Sequence, residues 1–523
     1  MKTKASASFA MAALFSLVTF SAQTAAQTQT SSQPNSHVRY KLIDLGTLGG
    51  PNSTEGHQAP IVSNSGAVIG IADTLLPDPA CPSDCFIGHA FRWEKGVLTD
   101  LGTIPGGNNS DAVWLNSLGQ VVGESENGVI DPLVGVPENK AVLWQKDGQI
   151  TDLGTLGGNG SLALAINDRG QIVGGALNDI LDPFSSATQS RAFLWQDGVM
   201  RDLGTLGGPD AFATSINDRG QIAGVSMTNS IPNAATGFPT FHPFLWENGK
   251  MLDLGSLGGT QAVPAGGIDG ATEGQRALNN RGQVAGGSTL DGDSTVHPFL
   301  WDGAKLLDLG TLGGSFGLAR AINDAGDVAG AATTANDEAV HAFVWREGKM
   351  IDLGTVSGDS CSLTHFMNAR SQVVGSSFDC SDFVELHGFL WQPGGPMIDL
   401  NQFVPPGSGL IVTDGEGIND RGEIAGSALL PNGDFHAVLL VPCTEDLIDA
   451  VGCQEASQNV NASSSELSTP GKPFVVPNNL DAKALLTVLK ARFARLYHNP
   501  FLRGPNPKRA AKIHAGKFAD SRK

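Results

Sequence analysis

The stretch Leu162–Gly204 reads LALAINDRGQIVGGALNDILDPFSSATQSRAFLWQDGVMRDLG. It holds four short apolar segments, Leu162–Ile166, Gln171–Gly174, Ala192–Trp195 and Met200–Gly204. Asn167-Asp168-Arg169-Gly170 closes a first hairpin and Asp197-Gly198 a second. Asn or Asp before Gly supplies the positive φ that tight hairpin turns need. The segments are apolar on both faces: Phe193 and Trp195 point one way and Leu194 the other. Strands buried on both faces belong in sheets stacked face to face.

The same wording recurs from residue 38 to residue 443. Asp-Leu steps begin at Asp44, Asp100, Asp152, Asp202, Asp253, Asp308, Asp352 and Asp399. Asn turns are read at Asn64, Asn116, Asn167, Asn217, Asn279, Asn323, Asn368 and Asn419. Aromatic segments end at Trp93, Trp144, Trp195, Trp246, Trp301, Trp345 and Trp391, with Leu440 in the eighth place. Such a period, about 51 residues, signals a solenoid, a propeller or an array. Four-stranded sheets around an axis make a β-propeller. The first copy opens with only its fourth strand, Val38–Gly46, and the last stops after its third, His436–Val441. Together they make one blade. The expected fold is therefore all-β: an eight-bladed β-propeller with four-stranded blades, closed by pairing of the N- and C-terminal strands. A solenoid gives no reason for complementary end fragments.

His-Ala-Phe-Leu-Trp followed by Asp-Leu-Gly-Thr-Leu-Gly-Gly resembles the bacterial extracellular HAF-repeat family over residues 38–443. The resemblance implies export and a repeat architecture, and no catalytic residues. Copies two and three depart from it, with Lys140 and Arg191 in place of His. The Gly-Gly pairs also resemble those of Kelch propellers, although the Kelch tyrosine is missing.

The ends differ from the repeats. Lys2 and Lys4, the apolar run Phe9–Phe20 and the small residues Thr24, Ala25 and Ala26 make residues 1–26 a signal peptide. Its apolar run is too short to span a bilayer. The expected location is therefore secreted, extracellular or periplasmic. An oxidising compartment suits the six cysteines, read as the pairs Cys81–Cys85, Cys361–Cys380 and Cys443–Cys453. Residues 444–480 read as a linker, Ser-, Asn- and Pro-rich from 456. Residues 481–523 carry eleven Lys or Arg against two Asp. Within them Leu485, Leu489, Phe493 and Leu496 recur at helical spacing. That basic tail, disordered apart from a short amphipathic helix, is expected either to contact acidic surfaces or to stay solvated.

Composition fits this picture. Glycine makes up 67 of 523 residues, charged residues 16% and hydrophobic residues 41%. An interior glycine costs a helix about 1 kcal/mol, which argues against a helical bundle. The net charge is −19, and residues 27–480 alone carry −30. Such a body repels phosphate backbones, so no nucleic-acid partner is expected for the propeller.

Residues present in every copy read as structural. A histidine recurs at His89, His242, His297, His341, His387 and His436, where copy three has Arg191. Each can tie its strand to the Asp of the next, and a propeller scatters them too widely for one metal ion. Gly313-Gly314-Ser315-Phe316-Gly317 matches a nucleophile pattern that needs a strand–turn–helix setting, absent here. Asp291-Gly-Asp293 opens like a calcium loop but has Val296 where glycine is required. No catalytic set is assigned and no cofactor expected.

Length variation falls in loops 71–88, 125–139, 176–190, 226–241, 260–275 and 377–386. Variable loops on a rigid scaffold carry binding. Asp78, Asp131, Asp182 and Asp434 share one offset in four blades that closure would make contiguous. Clustered carboxylates suit Ca²⁺ or sugar hydroxyls, while an Asp-Pro step alone is a loop turn. Whether a metal binds is left open. The leading reading is an exported, non-catalytic binding or scaffold protein, expected to be monomeric. Its variable-loop face would take a polysaccharide, a cation or a protein. The alternatives are a polysaccharide hydrolase or lyase, and a cell-envelope structural protein held by its basic tail.

Overall fold

Each repeat folds as four antiparallel strands paired in chain order. In the third blade these are Gly157–Ile166, Ile172–Leu181, Thr188–Gln196 and Val199–Asp202. The computed structural model describes residues 39–55, 61–79, 85–132, 135, 137–182, 188–233, 239–265, 276–443 and 453–455. Residues 1–26, most of 444–480 and the basic tail lie outside the described residues. Seven consecutive four-stranded units occupy 49–100, 110–152, 157–202, 211–253, 258–308, 313–352 and 361–399, here called blades one to seven. Single parallel bridges, Phe241 to Gln261 and Val296 to Phe316, join blades four, five and six. This succession of stacked four-stranded sheets is a β-propeller.

The remaining sheet draws on both ends of the chain. Ile424–Leu429 pairs with Phe435–Pro442, which pairs with Arg39–Asp44 in the register Leu42 to Leu440. Cys453–Glu455 adds a further strand on the outer side of Arg39–Asp44. The sequence reading put these three residues in a linker. The Cys443–Cys453 disulfide, with Cα atoms 6.3 Å apart, folds the segment back onto the sheet. Cys361 and Cys380 are also bonded, 5.2 Å apart between Cα atoms. Cys85 is disulfide-bonded, and Cys81 lies outside the described residues.

Turn chemistry matches backbone. Asp197 and Gly198 sit at φ 53° and 82°, and Asn248 and Gly249 repeat the pattern at 52° and 79°. The core lies between blades, around fully buried Phe91, Phe193, Phe244, Phe299, Phe343 and Phe389. Space beneath these rings is short: a Cβ on Gly224 would stand 2.1 Å from the Phe212 carbonyl and 2.5 Å from the Phe244 ring. Trp93, Trp144 and Trp391 are buried, while Trp195, Trp246, Trp301 and Trp345 are partly buried against the core.

An amide ladder ties one blade to the next. In each Asn-x-x-Gly turn the Asn Oδ1 accepts two N–H groups of its own turn, as Asn167 does from Arg169 and Gln171. Its Nδ2 then donates to the corresponding carbonyl of the following turn. The rungs run Asn116 to Asn167, Asn167 to Asn217, Asn217 to Asn279 and Asn279 to Asn323, at 3.0–3.1 Å. They continue from Asn323 to Asn368, Asn368 to Asn419 and Asn419 to Ser63. The blade-one turn therefore begins at Ser63, not at Asn64 as the sequence suggests. Ser63 Oγ accepts N–H groups of its own turn in the manner of Asn. Asn64 instead bonds to Asp420.

Candidate functional site

The eight Asp of the Asp-Leu steps do one job in every repeat. Each accepts a backbone N–H two residues on, as Asp100 does from Gly102 and Asp399 from Asn401. Five also meet a histidine Nδ1 at 2.8–3.0 Å: Asp100 with His89, Asp253 with His242, Asp308 with His297, Asp352 with His341 and Asp44 with His436. Arg191 takes the same place on Asp202 at 3.0 Å. Two repeats depart. Lys140 turns to Glu138 and the Asn159 carbonyl, and His387 to Asp359. Partial burial pushes the carboxyls of Asp44, Asp100, Asp253 and Asp352 up. Their His and N–H donors outweigh it and hold them below the usual range.

The loops opposite the tight turns carry a feature the sequence reading passed over. In blades one to four the second strand runs on into a shared tip: Thr74–Asp78, Asn127–Asp131, Asn178–Asp182 and Asn229–Asn233. The leading side chain accepts the N–H two residues on, Asn127 from Val129, Asn178 from Ile180, Asn229 from Ile231 and Thr74 from Leu76. This turn presents aliphatic side chains to solvent. Leu75, Leu76, Val129, Ile130, Ile180, Leu181 and Ile231 are 52–76% exposed. Asp131 and Asp182, which follow directly, are buried.

The four sequence-selected aspartates are thus not equivalent. Asp78, Asp131 and Asp182 end the aliphatic tips, and the Asp78 N–H bonds to the Cys85 carbonyl. Asp434 ends a tight turn from Leu430, its carboxylate held by the Asn432 amide at 2.8 Å. Among the described residues no three His, Cys, Asp or Glu side chains come together to hold a metal ion. Loop 260–275 also differs from expectation: Gly258–Pro264 is the first strand of blade five, and 266–275 lie outside the described residues.

The catalytic look-alikes are consumed by the fold. Ser315 lies on the strand Gly313–Ile322, with its hydroxyl donating to Asp337 at 2.7 Å. Asp293 accepts the Thr260 N–H and hydroxyl and the Thr289 hydroxyl. Sequence reasoning missed a half-buried ionic cluster where the first strands of blade seven and the composite sheet adjoin. There His365 Nδ1 stands 2.9 Å from Glu416. Burial lowers the imidazole's proton affinity, but the charges of Glu416 and Asp414 outweigh it and hold the ring above the usual histidine range. Burial, then the Glu416 charge, pushes Asp414 up to about 6. His365 occupies the bulge of its strand, where blade three has Leu164. That departure from the repeat was the available signal.

No family model matches the chain, so the HAF and Kelch resemblances gain no support there, and no curated protein matches either. Similar solved structures include the β-propeller domain of the Trilobed protease from Pyrococcus furiosus, at 10% identity and TM-score 0.38, covering 66% of this chain and 97% of that one. The Pyrococcus horikoshii acylaminoacyl peptidase gives 10% identity and TM-score 0.38 over 66% of this chain, which spans about half (52%) of that one. TolB from Acinetobacter baumannii gives 9% identity and TM-score 0.28, covering 71% of this chain and 63% of that one. At these values none of the three bears on function.

Proposed function

We propose that this chain is an exported, non-catalytic binding or scaffold protein, an eight-bladed closed propeller whose loop face on blades one to four takes a protein partner. The observation behind this reading is the aliphatic tip repeated in four successive blades, with seven large side chains held out in water. Contiguous exposed apolar surface marks interaction sites. Leucine, isoleucine and valine offer nothing to a cation and little to sugar hydroxyls, which favours a protein among the three ligand classes. The partner's surface should be apolar with a Lys/Arg rim, since residues 27–480 carry −30. Export is supported by the signal-like residues 1–26 and the two described disulfides. Eight blades and closure are supported by the strand of Arg39–Asp44 on Phe435–Pro442 and by the Asn419 rung onto Ser63.

The test places a photo-crosslinker at Ile180 and, as a control, at the exposed Val199 of a hairpin turn, in cells exporting the protein. A discrete protein adduct is expected from position 180 and none from position 199. Changing Leu76, Ile130, Leu181 and Ile231 to Lys should abolish the adduct. The unfolding midpoint should move by no more than about 2 °C, because exposed substitutions cost little. Undiminished crosslinking by the quadruple variant would sink the reading. So would tip-dependent sedimentation with zwitterionic vesicles or insoluble polysaccharide in place of a protein adduct.

A further inference from the structure

The tight-turn side of the propeller has its own regularity, and one place breaks it. In most blades the third residue of the Asn-x-x-Gly turn is an arginine that lies over the glycine of the next turn. A Cβ on Gly220 would stand 2.6 Å from Arg169 Nη2, and one on Gly282 2.9 Å from Arg219 Nη2. The same holds for Gly66 beneath Arg421. Blade six has Ala325 in place of that arginine, and blade seven has Ser371 in place of the glycine. The two changes fit each other, since an arginine at 325 would run into the Ser371 side chain. Ser371 keeps the left-handed backbone at φ 59°, a conformation glycine adopts freely and serine at a cost.

Two further departures sit beside them. Blades two and three link their second and third strands by Gln120–Gln145 and Gln171–Gln196 pairs at 2.9 Å. Blade six has the ion pair Asp327–Arg346 there, with Arg346 Nε donating at 2.8 Å. Asp327 is buried and also accepts the Ser371 hydroxyl at 2.6 Å, and Ser371 Oγ accepts the Asn323 amide. All four altered residues line one cavity of about 620 Å³, together with Arg281, Arg370, Trp345, Gln283, Asp302 and Glu347. That volume lies within the range of small-molecule sites.

The lining has a definite chemistry. Asp327 neutralises Arg346, whereas Arg281, whose Nη2 lies over Gly326, makes no ion pair among the described residues. A guanidinium fork matches a carboxylate. Trp345 offers an aromatic surface to an apolar ring face. Gln283, Asp302 and Glu347 supply acceptors for hydroxyls, and the two exposed carboxylates disfavour a dianion such as a phosphate ester. We infer that this cavity binds a saccharide carrying a single carboxylate per ring, a uronic acid. Its carboxylate sits on Arg281, whose Nη2 lies over Gly326 in the cavity wall, and its ring against Trp345. The site lies among the tight turns, away from the aliphatic tips, so it does not depend on the protein-partner reading.

Calorimetric titration of the full chain with digalacturonate, cellobiose and galactose 1-phosphate tests this. Saturable binding of digalacturonate alone is expected, weakened tenfold or more by Arg281→Gln. The double variant Ala325→Arg/Ser371→Gly restores the regular repeat and fills the cavity. It should remove binding while keeping the parent's circular dichroism, with a lower unfolding midpoint because Asp327 and the Asn323 amide lose the Ser371 hydroxyl. Should that variant fail to fold, Trp345→Phe supplies the check: digalacturonate should change the parent's tryptophan emission and leave that of Trp345→Phe unchanged. No binding of digalacturonate by the parent, equal binding of cellobiose or of the phosphate, or parent-like binding by the filled variant would each overturn the inference.

Discussion

Asn279→Ala is expected to lower unfolding free energy by about 3–5 kcal/mol, far beyond the usual effect of one polar substitution. Asn279 is fully buried, and its amide uses all its capacity. Nδ2 donates to Gln283 at 2.9 Å and across to the Asn323 carbonyl at 3.0 Å. Oδ1 accepts the Arg281 and Gln283 N–H groups, each at 3.0 Å. Truncation strands two N–H groups and a carbonyl of the next blade, each costing about 1–3 kcal/mol when unsatisfied. Asn279→Asp keeps the acceptor but points a carboxylate at the Asn323 carbonyl, so it should be at least as costly. Denaturant unfolding at fixed pH measures both. A loss under 1 kcal/mol for the alanine variant would show that blade contacts do not rest on the ladder.

The second large effect is pH-dependent. Burial, and then the negative charge of Asp111, pushes Glu124 up to about 8. Burial likewise lifts Asp210 to about 7 and Asp414 to about 6. In the unfolded chain these groups ionise near pH 4. Between that value and the raised ones the folded protein holds more protons, so stability falls as pH rises. The raised histidines His341 and His365 act in the same direction. Their contribution is complete below about 6.5 and is lost as pH climbs through the folded values. The lowered aspartates, Asp44, Asp100, Asp253 and Asp352, act oppositely. Their stabilisation is present above about pH 4 and disappears as pH falls through their folded values. Maximum stability is therefore expected near about pH 4, where the lowered aspartates are already ionised and the raised carboxyls are still protonated in the folded chain. Glu124→Gln should be more stable than the parent at pH 8, by several kcal/mol at about 1.4 kcal/mol per unit, with little difference at pH 5. Equal stability of parent and variant at pH 8 would contradict this assignment.

The repeat made the sheets readable because each strand fixes its own turn chemistry. The segment Ala192–Trp195 falls inside the observed Thr188–Gln196, and Asp197-Gly198 closes the turn that follows it. Local wording failed where a different side chain does the same work. Ser63 accepts the turn N–H groups that Asn accepts elsewhere, while the neighbouring Asn64 matches the repeat wording but bonds to Asp420. In the loops, the repeated offset of the aspartates is the visible pattern. The structure buries two of them and exposes the aliphatic pairs in front. Leu75-Leu76, Val129-Ile130 and Ile180-Leu181 were visible, but such a pair at the end of a strand reads as more strand. The His365–Glu416 cluster and the cavity beside Ser371 arise between blades, where no single repeat contains the information.

The pairing of Arg39–Asp44 with Phe435–Pro442 sets a timetable. His436 meets Asp44 across 392 positions of chain. Synthesis proceeds at about 5–20 residues per second, so the first strand waits on the order of 20–80 s for its partner to leave the ribosome. Throughout that interval it is an unsatisfied edge, the kind that recruits other chains. Arg39 and Lys41 lie on it, and positive charge on an edge is a known guard against such recruitment. The same two residues later take the strand Cys453–Glu455, Arg39 opposite Glu455 and Lys41 opposite Cys453. A guard against premature association thus becomes, once synthesis ends, the seat for the last described piece of the fold.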